Sequence, residues 1–192
     1  MHPLQRFLLE RFLRTAQRLV TGLEIGLILD CGSAEGFVLD YLVRDSTGAG
    51  LGIDIDLAAL DRGRRLHPAL PLLPGNALRA PFQDNRFDLV LCTEVLEHVS
   101  QPEVLLAEVH RLTRKYVLLS VPDEPYFRAG NLLRGKHVRR LGNDPEHLFN
   151  WTAGEFVGLV REHFEILEIR RPFPWTMVLA RKAVPSIEAV PE

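Results

Sequence analysis

An apolar run, Phe87-Asp88-Leu89-Val90-Leu91-Cys92, leads directly into Thr93-Glu94-Val95-Leu96-Glu97-His98-Val99. The run reads as a central strand. The turn after it carries two carboxylates three residues apart and an imidazole beside the second. If this turn opens a helix, Glu94, Glu97 and His98 share one face at spacings i, i+3 and i+4. Such a set can hold a divalent cation, and its majority of oxygen donors favours Mg²⁺ or Mn²⁺ over Zn²⁺. The same groups can instead take a proton from a hydroxyl.

A second stretch reads as strand, tight loop and helix. Leu27-Ile28-Leu29-Asp30 ends in an acid, Cys31-Gly32-Ser33-Ala34-Glu35-Gly36 is a loop of small residues, and Phe37–Val43 has helical spacing. In open α/β sheets ligands bind where strands end and helices begin. A phosphate-binding loop offers glycines, backbone N–H groups and often a lysine. This loop has no lysine, and Asp30 and Glu35 both repel a pyrophosphate. Its spacing also departs from G-x-G-x-x-G: Ala34 stands at the second glycine and Gly36 comes one residue early, which disfavours a nicotinamide dehydrogenase. A cofactor with positive charge fits better, and S-adenosylmethionine (SAM) has both a sulfonium and an ammonium group. The alternative is an ordinary turn with no ligand.

The elements that must position these residues alternate between strand and helix. Leu51–Ile55 also ends in acid. Asp56 is the expected N-cap of the helix that follows, which leaves Asp54 at the strand tip, eighteen positions after Gly36. A carboxylate there can accept from both hydroxyls of a ribose. Beyond a short third strand near Leu70–Leu73, Asn76 is placed to bond an adenine amino group, and the Ala77 and Leu78 backbone to read the ring edge. Residues 101–112 read as a helix entered through Pro102, Tyr116–Val121 as strand five, and 151–160 as a last helix with Thr152 and Glu155 forming a capping box. Phe164–Arg170 and Thr176–Arg181 close the chain as two strands.

Four of these stretches, in this order over roughly residues 25–121, resemble the motifs of class I SAM-dependent methyltransferases (methyltransferase type 11-like). They are Asp30, Gly32 and Gly36; Gly52-Ile53-Asp54; Gly75-Asn76-Ala77 with Pro81-Phe82 and Arg86-Phe87-Asp88; and Leu96-Glu97-His98. The resemblance implies an α/β fold: a Rossmann-like, seven-stranded, mostly parallel sheet with an antiparallel C-terminal hairpin and helices on both faces. It implies SAM at Asp30, Gly32, Ser33, Gly36, Asp54, Ile55, Asn76, Ala77, Leu78 and Thr93. There are two departures. Ala34 replaces the usual middle glycine, tolerable if its φ is negative. Thr113-Arg114-Lys115 replaces the Pro-Gly-Gly turn before strand five.

The turn also resembles E-x-x-E-H in small-RNA 3′-terminal 2′-O-methyltransferases and ubiquinone-pathway O-methyltransferases. In the former, a later histidine in N-D-x-x-H-x-F-x-W-T completes a metal site, and this chain has Asn143-Asp144 through His147 to Trp151-Thr152. The resemblance implies Glu94, Glu97, His98 and His147 as metal ligands, or Glu94, His98 and His147 as catalytic groups without a metal. Many methyltransferases, however, carry L-E-H as a structural turn.

The whole chain bounds the rest. At 192 residues a single domain is expected over 1–182, with 122–150 covering the substrate and 183–192 a disordered tail. That 122–150 segment interleaves Tyr126 and Phe127 with Arg128, Arg134, Lys136, His137, Arg139 and Arg140, which suits an anionic substrate or a solvated loop equally. A net charge of -2 and a pI near 6.4 argue against a protein built to coat nucleic acid. Two cysteines make no disulfide framework; they read as small buried hydrophobes in a cytoplasmic protein. No stretch reads as a signal peptide or membrane span. Residues 3–20 read as an amphipathic helix, either packed on the sheet or serving as a lid or membrane-surface helix. The expected function is SAM-dependent O-methylation of a small molecule or a lipid- or sugar-linked metabolite. The alternatives are metal-dependent RNA 3′-end 2′-O-methylation and a non-catalytic SAM-binding accessory protein.

Overall fold

The computed structural model describes residues 3–44, 48–123 and 148–183. Along the chain lie α1 (Pro3–Val20), β1 (Leu27–Cys31), α2 (Phe37–Arg44), β2 (Ala49–Asp54), α3 (Leu57–Leu66), β3 (Leu72–Pro74), β4 (Phe87–Thr93), a 3₁₀ turn at Leu96–His98, α4 (Pro102–Leu112) and β5 (Thr113–Pro122). They are followed by α5 (Ala153–His163), β6 (Glu165–Arg170) and β7 (Trp175–Arg181). The tail beyond Ala183 and most of the expected substrate-covering segment lie outside the described residues.

The strands form one seven-stranded sheet in the order β3-β2-β1-β4-β5-β7-β6. The first five are parallel, and β7 runs antiparallel to both β5 and β6. This is the mixed sheet that the motifs implied. Strand order reverses between β1 and β4, which leaves a crevice at their C-terminal ends. Side-chain alternation divides the core into two layers. Leu29, Val90, Val117 and Leu119 face a layer with Leu105, Val109, Phe156 and Val160 of α4 and α5. Ile28, Leu89, Leu91 and Leu118 face one with Phe12, Ala16, Leu39, Leu42 and Leu60 of α1, α2 and α3. Every residue of β4 is buried, as its unbroken apolar run requires.

Local signals account for most element ends. The Asp56 carboxylate accepts from the Ala58 and Ala59 amides and starts α3. Thr152 and Glu155 form the expected capping box of α5. At Thr113 the expectation of a turn fails, because that residue caps α4 and is also the first residue of β5. No turn is needed, since Arg114 reaches directly to buried Asp88. Asp88 in turn accepts from the Gly26 and Leu27 amides at 3.0 and 3.1 Å, tying β4 to the entry of β1.

Only the second half of α1 is held by the sheet. Phe12, Ala16 and Leu19 are buried, whereas Leu4 and Phe7 remain exposed. The Phe12 ring meets Trp175 edge-on at 5.1 Å. No described helix is long and apolar enough to cross a membrane.

Candidate active site

The loop after β1 is fixed by backbone bonds and by one carboxylate from β2. The Gly32 and Ser33 amides donate to Ile53 O at 2.9 and 3.0 Å, and the Gly36 amide donates to Ser33 O at 2.7 Å. Asp54 Oδ2 accepts from the Ala34 amide and its Oδ1 from the Asp56 amide, both at 2.8 Å. Asp54 therefore braces the loop as well as sitting at the strand tip. Gly32 has φ of +78° and is backed by the Val95 side chain, so any Cβ there would collide with it. Gly52 serves the same loop from β2, because a Cβ on it would lie 2.6 Å from Ser33 Cβ.

Ala34 departs from expectation. Its φ is +45°, in the left-handed region where an L residue is strained. The bond to Asp54 holds it there. The glycine of the family pattern would suit this backbone better, so the substitution is a strained one. Glu35 is also placed differently from the sequence reading. It is paired with Arg62 of α3 at 2.7 Å and so does not act as a second unpaired acid of the loop.

Asp30 and Asp54 are the acids left at the loop, and Asp30 is the more deeply buried. It is 2% exposed, and its Oδ1 has no hydrogen-bond donor. Burial first, and the Asp54 charge second, push its carboxyl up to about 7. The buried Ser33 hydroxyl of the loop also has no hydrogen-bond partner. A cationic ligand group at the tip of β1 would satisfy this carboxylate, whereas a phosphate would be repelled. Ile55, 77% exposed, stands at the neighbouring tip. Asn76 Oδ1 accepts from the Leu78 amide at 2.9 Å. That N–H is thus used within the turn.

Across the crevice, Thr93 is nearly buried at the end of β4 and Glu94 follows with φ of +59°. No α-helix starts here; only the 3₁₀ turn Leu96–His98 forms. Glu94, Glu97 and His98 consequently do not share a helical face. The Glu94 amide donates to Ser120 O at 3.1 Å. Its carboxylate accepts from the Ser120 hydroxyl at 2.8 Å and from the Trp175 indole N–H at 2.6 Å. Glu97 is buried, and His98 is exposed. Among the described residues no three such side chains are grouped to hold a metal ion. His147 lies outside the described residues, but the next two amides, of Leu148 and Phe149, donate to Glu97 O at 2.8 and 3.3 Å.

Sequence reasoning missed Ser120 and Trp175. Ser120 is the one polar residue in the apolar run Val117–Val121 of β5, which was a usable signal. Trp175 reaches Glu94 only because β7 pairs with β5, with Pro122 opposite Trp175, and no local pattern carries that. Cys31 and Cys92 are fully buried, and burial pushes both thiols up, as expected of small core residues.

Comparison with known proteins agrees with this geometry. Residues 29–120 match a family model described as a methyltransferase domain. The demethylmenaquinone methyltransferase of Streptomyces avermitilis is 38% identical over 61 residues, which is 32% of this chain and 26% of that protein. That of Symbiobacterium thermophilum is 34% identical over 116 residues, 54% of this chain and 46% of its own length. The chain thus spans less than half the length of these curated relatives. Among solved structures, magnesium protoporphyrin IX methyltransferase from Synechocystis PCC 6803 with bound SAH superposes with a TM-score of 0.70 at 14% identity, covering 95% of this chain and 89% of that one. The cyclase SpnF superposes at 0.69 and 17% identity, over 90% and 82%. The fold is therefore the seven-stranded Rossmann-like methyltransferase fold.

Proposed function

We propose that this protein is a SAM-dependent methyltransferase acting on an oxygen of a small molecule or a lipid- or sugar-linked metabolite. The observation that carries this reading is Asp30, a buried carboxylate with a donor-less oxygen at the tip of β1, in a stretch that matches a methyltransferase family. Asp30 would hold the ammonium of SAM, and the loop Gly32–Gly36 with Thr93 would shape the space beside it. Asp54 keeps further lone pairs on both oxygens for ribose hydroxyls, although each already accepts one amide. Exposed Ile55 and the Asn76–Leu78 turn would flank the adenine.

SAM supplies a methyl group on a sulfonium, which an acceptor oxygen displaces in line. The chain's own task is to orient that acceptor and accept its proton. Glu94, held by Ser120 and Trp175, sets the wall of the acceptor side. His98, which is exposed, and His147, which lies outside the described residues, are the groups proposed to take the proton. The metal-binding alternative fits poorly with the described residues, because Glu94 is turned toward Ser120 and Trp175 while Glu97 is buried. The RNA-directed alternative is weakened by the acidic pI near 6.4.

Calorimetry with S-adenosylhomocysteine (SAH), with NAD, and with SAH plus Mn²⁺ tests the cofactor assignment. SAH binding that is unchanged by Mn²⁺, with no heat from NAD, is expected; NAD binding without SAH binding would overturn the reading. Transfer of labelled methyl from SAM into fractionated small-molecule and lipid extracts, lost in His98→Ala or His147→Ala, separates an enzyme from a non-catalytic SAM-binding protein.

A further inference from the structure

Beyond Trp175, a groove of about 330 Å³ runs between α1 and the β6–β7 connection. One wall is a helical stripe, Phe7, Glu10, Arg11, Arg14 and Arg18, and the other is Arg170, Arg171 and Pro172. Five guanidiniums and a single carboxylate thus line one groove in a chain whose net charge is -2. Spacings of three, four and seven along α1 stack Arg11, Arg14 and Arg18 on the same face, where like charges repel. An anion in the groove would relieve that repulsion.

The pairing within the groove is incomplete. Glu10 is shared between Arg6 at 3.1 Å and Arg14 at 3.6 Å. Arg170 pairs with Glu168, and Arg171 with Asp123 at 2.8 Å. Arg11 and Arg18 have no carboxylate partner among the described residues. Planar guanidiniums of this kind grip phosphate oxygens through paired N–H groups.

The groove is joined to the candidate active site through Arg171. That residue also lines a smaller cavity with Asp123, Phe173, Pro174 and Trp175. Phe173 is 47% exposed there, and the Trp175 indole donates to Glu94. Arg171 is thus common to both cavities, and Trp175 links the smaller one to Glu94. We infer that the methyl acceptor carries a phosphate or diphosphate group, which the Arg11/Arg14/Arg18/Arg171 groove seats while the part to be methylated lies against Phe173 and Trp175 toward Glu94. This assignment rests on the methyltransferase reading above and adds the substrate's chemical class to it. The phosphate belongs either to a soluble metabolite or to a lipid headgroup. In the latter case exposed Leu4 and Phe7, in the first two turns of α1, would meet the bilayer surface.

The test uses the full chain saturated with SAH and inorganic pyrophosphate as the probe. Calorimetry is expected to show salt-sensitive pyrophosphate binding. The double change Arg11→Ala with Arg18→Ala should weaken it at least tenfold and leave SAH affinity unchanged. Arg65→Ala, at an exposed position of α3 that does not line the groove, should have no effect. Flotation with phosphatidylcholine vesicles, with and without phosphatidylglycerol, identifies the source of the phosphate. Binding only to the anionic vesicles, reversed by pyrophosphate and lost in the double variant, assigns a lipid headgroup; pyrophosphate binding without flotation assigns a soluble ligand. A protein that binds SAH but neither pyrophosphate nor anionic vesicles overturns the inference, as does equal weakening by Arg65→Ala. Failure to bind SAH would instead sink the methyltransferase reading.

Discussion

Replacing Asp30 with Asn should make the protein more stable while weakening its binding of SAH, and the gain in stability should grow with pH. In the folded chain the Asp30 carboxyl is pushed from an ordinary 3.8 to about 7 by burial, with help from Asp54. A raised acid pKa means that the folded state holds the proton more tightly than the unfolded state. Stability therefore falls as pH rises through the window from about 4 to about 7 and levels off above it. Three units at roughly 1.4 kcal/mol each give a cost of about 4 kcal/mol at pH 8, against about 2 kcal/mol at pH 5. Asparagine mimics the protonated acid and escapes that cost. Urea denaturation of Asp30→Asn and the parent chain should therefore show a stability gap that widens by about 2 kcal/mol between pH 5 and pH 8. The parent's SAH affinity should rise with pH up to about 7, as Asp30 ionises to meet the ammonium. The variant should bind SAH about a hundredfold more weakly, the scale expected when one partner of a buried ion pair is lost. A gap independent of pH, or a variant that keeps full SAH affinity, would refute the assignment of Asp30 to the cation.

Three further outcomes are expected. Ala34→Gly should raise stability by about 1 kcal/mol by removing the left-handed strain, read as a shift in urea midpoint at constant slope. Glu94→Ala should cost about 2–3 kcal/mol, because the Ser120 hydroxyl and the Trp175 indole lose their acceptor, and thermal melts of Glu94→Ala with and without Trp175→Phe should show non-additive losses. Asp88→Asn should be destabilised by about 2 kcal/mol near neutral pH and progressively less in acid. Burial pushes the Asp88 carboxyl up, but bonds from Arg114, Gly26 and Leu27 outweigh it and hold the group below its usual value. The stability that this contributes is present at neutral pH and lost as pH falls through the folded value. Melts of the variant and the parent over an acid series check this.

The sequence by itself determined the alternation of elements, because strand and helix leave different periods in the apolar pattern and caps such as Asp56 and Thr152 act within three residues. The acid-tipped strands and the glycine at Gly32 were legible too, since they are local features of a strand–loop–helix unit. The sign of φ at Ala34 was not local. It follows from Asp54, twenty residues later, pulling that amide into place. Nor could spacing decide the fate of Glu94, Glu97 and His98. A helical face was the natural reading, but β5 and β7 offered Ser120 and Trp175 to Glu94, and the chain turned into a single 3₁₀ turn. The arginine groove shows the same division: Arg11, Arg14 and Arg18 form a visible stripe on α1, but only the pairing of β6 with β7 brings Arg170 and Arg171 opposite to them. Periodicity and caps are written along the chain, whereas convergence of charges depends on which strands the hydrophobic core forces side by side.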